Sequence, residues 1–269
     1  MKINKAIHHL LLGITAAFFF APSLSASNSE NTFPALMSVF IGTLLIYRLS
    51  VWVPILSFKN PYLMFETNPT IYEFLFYFVL ILFCYLLLKI KTIILFSSWG
   101  ILSIAYFTNI KIGSFEFKGL RSVPIVKTIH LALLWTIIGF LFQLNELGCN
   151  LALVKIVFIR FLMIFLICLG VDLRDIQKDL QAKTTTLATL IGFKNLKAIM
   201  LLLNLSLIVF LSLNFIDNKI ELLIATILML CTLYLKAHSK SATFTILMDG
   251  TLFIYSLLIL ISDFTKNLT

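Results

Sequence analysis

Three of the chain's twelve carboxylates, Asp172, Asp175 and Asp179, are spaced three and four residues apart. On a helix turning about 100° per residue they point to roughly 0°, −60° and −20°, a single narrow acidic stripe. Arg174 and Lys178 point to roughly 200° and 240°, outside the stripe. Carboxylates repeated over two turns offer hard oxygen ligands to a divalent cation such as Mg²⁺, which keeps several waters and shares its other positions with phosphate oxygens. The chemistry implied is metal-assisted handling of a phosphate or diphosphate. The competing reading is a solvated turn after a membrane helix, charged with both signs for solubility.

The elements that must position this stripe are apolar. The chain has 269 residues, 60% hydrophobic and only 12% charged, against about 25% charged in an ordinary soluble domain. It reads as a polytopic membrane protein forming one domain over residues 1–269. In such a chain a net charge of +9 reflects loop bias and not nucleic-acid binding. Cys84, Cys149, Cys168 and Cys231 are scattered, so neither a disulfide framework nor a cysteine metal site is indicated. The adjacent His8 and His9 read as residues at the membrane surface.

Nine apolar segments follow one another: 7–20, 33–47, 71–88, 92–107, 124–144, 151–169, 198–215, 220–235 and 242–261. Most approach the roughly 20 residues that cross a bilayer, and the shorter ones must borrow flanking residues or thin it. The first segment, following Lys2 and Lys5 and preceding SLSAS, also imitates a secretory signal peptide. With the N-terminus in the cytoplasm, fifteen of the 21 Lys and Arg face inward and four outward. That asymmetry predicts the aspartate stretch at the cytoplasmic face; the location expected for the chain is a bacterial inner (plasma) membrane. Two charges fall inside apolar segments, Arg160 and Asp249; at such depth each needs a partner or a wet cavity.

The stretch Gly170 to Gly192, GVDLRDIQKDLQAKTTTLATLIG, resembles the second aspartate-rich motif of the UbiA superfamily of membrane prenyltransferases. Asp179, Thr186, Leu187 and Gly192 keep the motif's places. Lys183 stands where the family usually has Gly, and Thr184 where it has Lys. The run Leu120 to Trp135, LRSVPIVKTIHLALLW, is also similar to a segment of bacterial members. The resemblance implies an all-α bundle of nine transmembrane helices with a cavity opening to the cytoplasmic side. It implies prenyl transfer from an isoprenoid diphosphate to a lipid-soluble or aromatic acceptor, assisted by Mg²⁺. In that reading Asp172, Asp175 and Asp179 hold the metal, with Asp175 and Asp179 as the catalytic pair. Arg121, Lys183, Lys127, Tyr106, Asp249 and Arg48 contact the substrate.

The departure is upstream. The superfamily's first aspartate-rich motif belongs near the end of the second helix, where this chain reads TLLIYRLSVWVPIL, with no acid between Thr43 and Lys59. Arg48 stands close to that place, and an arginine neutralises phosphate without needing ligands of its own. The expectation is a weakened, single-cluster Mg²⁺ site that still binds diphosphate. Two other readings stay open: a non-catalytic relative binding a lipid or partner through the same pocket, and an unrelated small transporter using Arg160 and Asp249.

Overall fold

A computed structural model describes residues 5–25, 32–52, 70–107, 110–112, 115–117, 120, 123, 125–146, 151–181, 185–213, 219–236 and 241–266, apart from some side chains within them. Among the described residues there are nine α-helices: α1 (Lys5–Ser25), α2 (Thr32–Trp52), α3 (Thr70–Leu86), α4 (Ile90–Phe107), α5 (Val126–Glu146), α6 (Leu151–Gln181), α7 (Leu187–Leu213), α8 (Lys219–Tyr234) and α9 (Ser241–Lys266). A two-stranded antiparallel hairpin, β1 (Ile110–Ile112) and β2 (Phe115–Phe117), joins α4 toward α5.

Three described spans are long and apolar enough to cross a membrane: Leu153–Gln177, Leu187–Leu213 and Thr243–Ser262. Their outward faces carry exposed Phe158, Leu202, Val209 and Ile246, and α3 exposes Phe76, Val79, Phe83 and Leu86. Contiguous apolar surface of this extent suits lipid, where only structures that satisfy their own backbone hydrogen bonds survive. The protein is an integral membrane protein.

Helix α6 organises the bundle. Its apolar run ends near Leu169, but the helix continues to Gln181, because Leu, Arg, Gln and Lys are good helix formers and neither Gly nor Pro intervenes after Gly170. At 31 residues it is about 46 Å long, against roughly 30 Å of hydrocarbon. The apolar half supplies Ile159, Met163, Ile164, Ile167 and Leu169 to the core, and the polar end still buries Asp172, Leu173 and Asp179. Helix α6 packs on α5, α7 and α9. A Cβ on Gly170 would collide with the sulfur of Met248, so glycine sets the close approach of α6 to α9.

Six helices close a ring in which each touches the next: α1, α2, α4, α5, α6 and α9. Phe19 of α1 knits it from within, edge-on to Tyr255 of α9 at 5.3 Å and to Trp135 of α5 at 6.3 Å between ring centroids. The remaining described helices lie outside, α3 against α2 and α7 and α8 against the α6–α9 side. The ring encloses the cavities described next.

Candidate functional site

Helix α5 begins with an unusual backbone. Ile125 has φ 66°, a left-handed conformation that a β-branched side chain adopts only when its surroundings impose it. Immediately after it Lys127 and Thr128 turn inward and are buried. The Lys127 ammonium lies 2.8 Å from Asp172 Oδ1 and 3.2 Å from Asp179 Oδ2. Thr128 donates its hydroxyl to the other oxygen of Asp172 at 2.5 Å. Side-chain exposure is 9% for Lys127, 3% for Asp172 and 9% for Asp179, so the two anions are withdrawn from water and, among the described residues, share that cation.

Asp175 belongs to a different group. Arg174 bends back around the helix and grips it side-on, Nε to Oδ1 at 3.2 Å and Nη2 to Oδ2 at 3.1 Å. The remaining Nη1 reaches across to α9, donating to Thr245 Oγ1 at 3.2 Å and approaching Asp249 Oδ2 at 3.5 Å. His8 of α1 meets that same Asp249 oxygen through Nε2 at 2.7 Å. These residues join three helices at one level.

Both groups face a cavity of about 190 Å³ lined by His8, Lys127, Asp172, Arg174, Asp175 and Asp249 at its polar end. Its apolar wall includes Leu12, Tyr47, Tyr106, Leu131, Trp135, Ile164 and Ile167. Tyr106, Tyr47, Leu131 and Trp135 are shared with a smaller apolar cavity of about 40 Å³ that runs on between α1, α2, α4 and α5. Tyr106 is held flat against His130, ring centroids 5.9 Å apart and 5° from parallel, and His130 in turn bonds the Leu102 carbonyl at 3.0 Å.

The structure thus gathers Asp172, Asp175, Lys127, Tyr106 and Asp249 around one space, while Asp179 is not among its lining residues and joins the group through Lys127. Arg121 and Lys183 lie outside the described residues. Arg48 is in α2, one position after the cavity-lining Tyr47, and its side chain is outside the description. His8 is the residue that sequence reasoning did not bring to the site: it meets Asp249 and lines the cavity. Arg160 pairs with Glu221 at 3.7 Å, its guanidinium over the Phe140 ring, and does not line this cavity.

The expected three-carboxylate metal set is divided here. Asp172 and Asp179 share Lys127, Asp175 is committed to Arg174, and no three described His, Cys, Asp or Glu side chains form a group that could hold a metal ion. The donors still suit a hard divalent cation. Two carboxylate oxygens converge on one nitrogen, so a cation position exists between Asp172 and Asp179, and among the described residues the cavity is lined by three carboxylates, Asp172, Asp175 and Asp249, with Lys127 and Arg174.

No protein family's sequence pattern matches the chain, and no characterised protein sequence matches it. Solved structures do. A UbiA homolog from Archaeoglobus fulgidus superposes with a TM-score of 0.53 at 15% identity, covering 95% of this chain and 96% of that one. The same homolog bound to GPP and Mg²⁺ gives 0.54 at 13% identity, covering 96% and 99%. A digeranylgeranylglyceryl phosphate synthase in membranes gives 0.56 at 16%, covering 97% and 98%. The chain has the fold of the UbiA-superfamily membrane prenyltransferases.

Proposed function

We propose that this chain is a membrane prenyltransferase that moves an isoprenoid group from a prenyl diphosphate to a lipid-soluble or aromatic acceptor. One observation carries the reading: a buried polar cluster and an aromatic apolar space share one cavity, so a molecule with an anionic head and a hydrocarbon tail fits both ends. That a structural neighbour is described bound to GPP and Mg²⁺ agrees with it.

The chain's own residues divide the work. Lys127 and Arg174 offer ammonium and guanidinium donors to a diphosphate at the polar end. Arg121, Lys183 and Arg48 are the further cations proposed for it. Asp172 and Asp179 are the proposed Mg²⁺ ligands, with Asp175 and Asp249 beside them. A divalent cation would supply charge neutralisation for the departing diphosphate. The faces of Tyr47, Tyr106 and Trp135 shelter positive charge on the allylic carbon through their quadrupoles, and the dry apolar wall keeps water from it. The positive-inside asymmetry puts this end of the cavity at the cytoplasmic face of the membrane.

The experiment is turnover and binding of labelled prenyl diphosphates of several chain lengths by purified protein in lipid, with and without Mg²⁺. Product formation establishes the enzyme. Binding that ignores Mg²⁺ and survives both Asp175→Ala and Asp179→Ala removes the transferase reading. One observation favours a second reading, a non-catalytic lipid- or partner-binding relative: every described cavity carboxylate already has a protein partner. Prenyl diphosphate binding with no product from any acceptor class selects it.

A further inference from the structure

Lys127 is placed as a substitute for something more strongly charged. Its nitrogen bridges two carboxylates set two turns apart on α6, at nearly the same angle around the helix. Two buried carboxylates cannot both stay ionised side by side without a cation between them. The ammonium fills that place, but with the chemistry of a temporary occupant: a point charge on a flexible four-carbon stem, without the planar fork that locks Arg174 onto Asp175. Thr128 meanwhile holds the second oxygen of Asp172, so that carboxylate keeps its aim when the ammonium leaves. Lys127 also lines the cavity, and its stem can swing into that space, where an incoming anion would meet it.

We infer that Lys127 is a built-in occupant of a divalent-cation position, and that a metal ion binds Asp172 and Asp179 by exchange with its ammonium. The inference deepens the proposed function and rests on it for the purpose the cation serves, though not for the exchange itself. Exchange keeps the two carboxylates compensated throughout, and it releases the lysine toward the cavity only when a cation has arrived. Binding is correspondingly weak in the unaltered chain, because each metal ion must displace an intramolecular competitor.

The probe is Mn²⁺, followed by its electron paramagnetic resonance signal on full-length protein in lipid nanodiscs. Lys127→Met removes the competitor and should bind Mn²⁺ about tenfold or more tightly than the unaltered chain, because the freed carboxylates attract a divalent charge more strongly. Lys127→Arg keeps a cation in place and should show no gain. Adding Asp172→Asn to Lys127→Met should abolish the tight site. Unchanged affinity in Lys127→Met, or a gain that survives Asp172→Asn, overturns the inference. A measurement on the unaltered chain covers failure of Lys127→Met to fold: saturating Mn²⁺ should raise the acylation of the Lys127 amine several-fold by mass spectrometry. Labelling that does not change at millimolar Mn²⁺ also overturns it. The two readings fail separately. Turnover of prenyl diphosphate with no exchange leaves the transferase standing, and exchange with no turnover leaves the cation site standing.

Discussion

Arg160 and Asp172 lie on the same helix and both are withdrawn from water, yet the groups built around them differ in stoichiometry. Arg160 has one anion, Glu221 of α8, and one ring, Phe140 of α5. Among the described residues that pair is one cation to one anion at 3.7 Å, and it stands apart from the cavity. Around Asp172, four carboxylates meet Lys127 and Arg174, with His8 as a conditional third cation. The first group ties α6 to α8. The second brings four described carboxylates together with two described permanent cations beside a space open to a ligand, and charge withdrawn from water needs such partners or a wet cavity. An intramembrane charge is therefore read better from the balance of its cluster than from its depth.

The largest expected effect separates the two groups by activity. Asp179→Ala should lower prenyl-transfer turnover by about a hundredfold or more, the usual scale for removing an electrostatic contributor to a reacting site. The double variant Arg160→Leu with Glu221→Leu should leave turnover within a few-fold of the unaltered chain. A dead double variant breaks the comparison.

The next effect is on stability. Arg160→Leu alone leaves Glu221 uncompensated and should cost about 3 kcal/mol, while the double variant should return to within about 1 kcal/mol of the parent. Unfolding by denaturant in mixed micelles measures both. A double variant as unstable as the single one would show that the pair is more than a tie between helices.

The smallest effect sharpens the boundary between them. Gly170→Ala pushes a methyl group into Met248 and should cost about 1–3 kcal/mol as α6 and α9 part. Because Asp249 follows Met248, the strain falls on the Arg174–Asp249 contact and not on Arg160. Turnover should fall more than stability does, and Met248→Ala should restore most of it. Loss of stability without loss of turnover would show that the α6–α9 spacing is not critical to the cavity.

Much of this was legible in the sequence, for physical reasons that also mark where legibility stops. The apolar segments announced helices because lipid leaves the backbone few alternatives. Asp249 announced itself as a charge within such a segment. The UbiA-like fold followed from Asp179, Thr186, Leu187 and Gly192; Gly192 adopts φ 80° inside α7, a conformation that favours glycine. The division of the acidic stripe was not legible. A helical wheel gives the direction in which Cα–Cβ bonds leave the axis, and Arg174 points away from Asp175 on it. The wheel does not carry the reach of a guanidinium stem, which brings the two together. His8 was hidden for a different reason: its partner is 241 residues away, and a histidine pair near a chain start carries no local signal of such a contact. The number of membrane crossings is still an expectation, since three described spans meet the length and hydropathy of a crossing.

The continuity of α6 from Leu151 to Gln181 makes it a rod whose two ends share phase as well as distance. One residue inserted between Met163 and Asp172 would advance the carboxylates by about 1.5 Å and rotate them by about 100°, away from the cavity they now face. Seven inserted residues would bring the rotation back to within roughly 20° but carry the acids about 10 Å further out. Phase and depth cannot both be kept by any insertion in this segment. Variation in chain length is therefore confined to the connections between helices, and the interval from the core residue Met163 to Asp179 acts as a fixed ruler for the site.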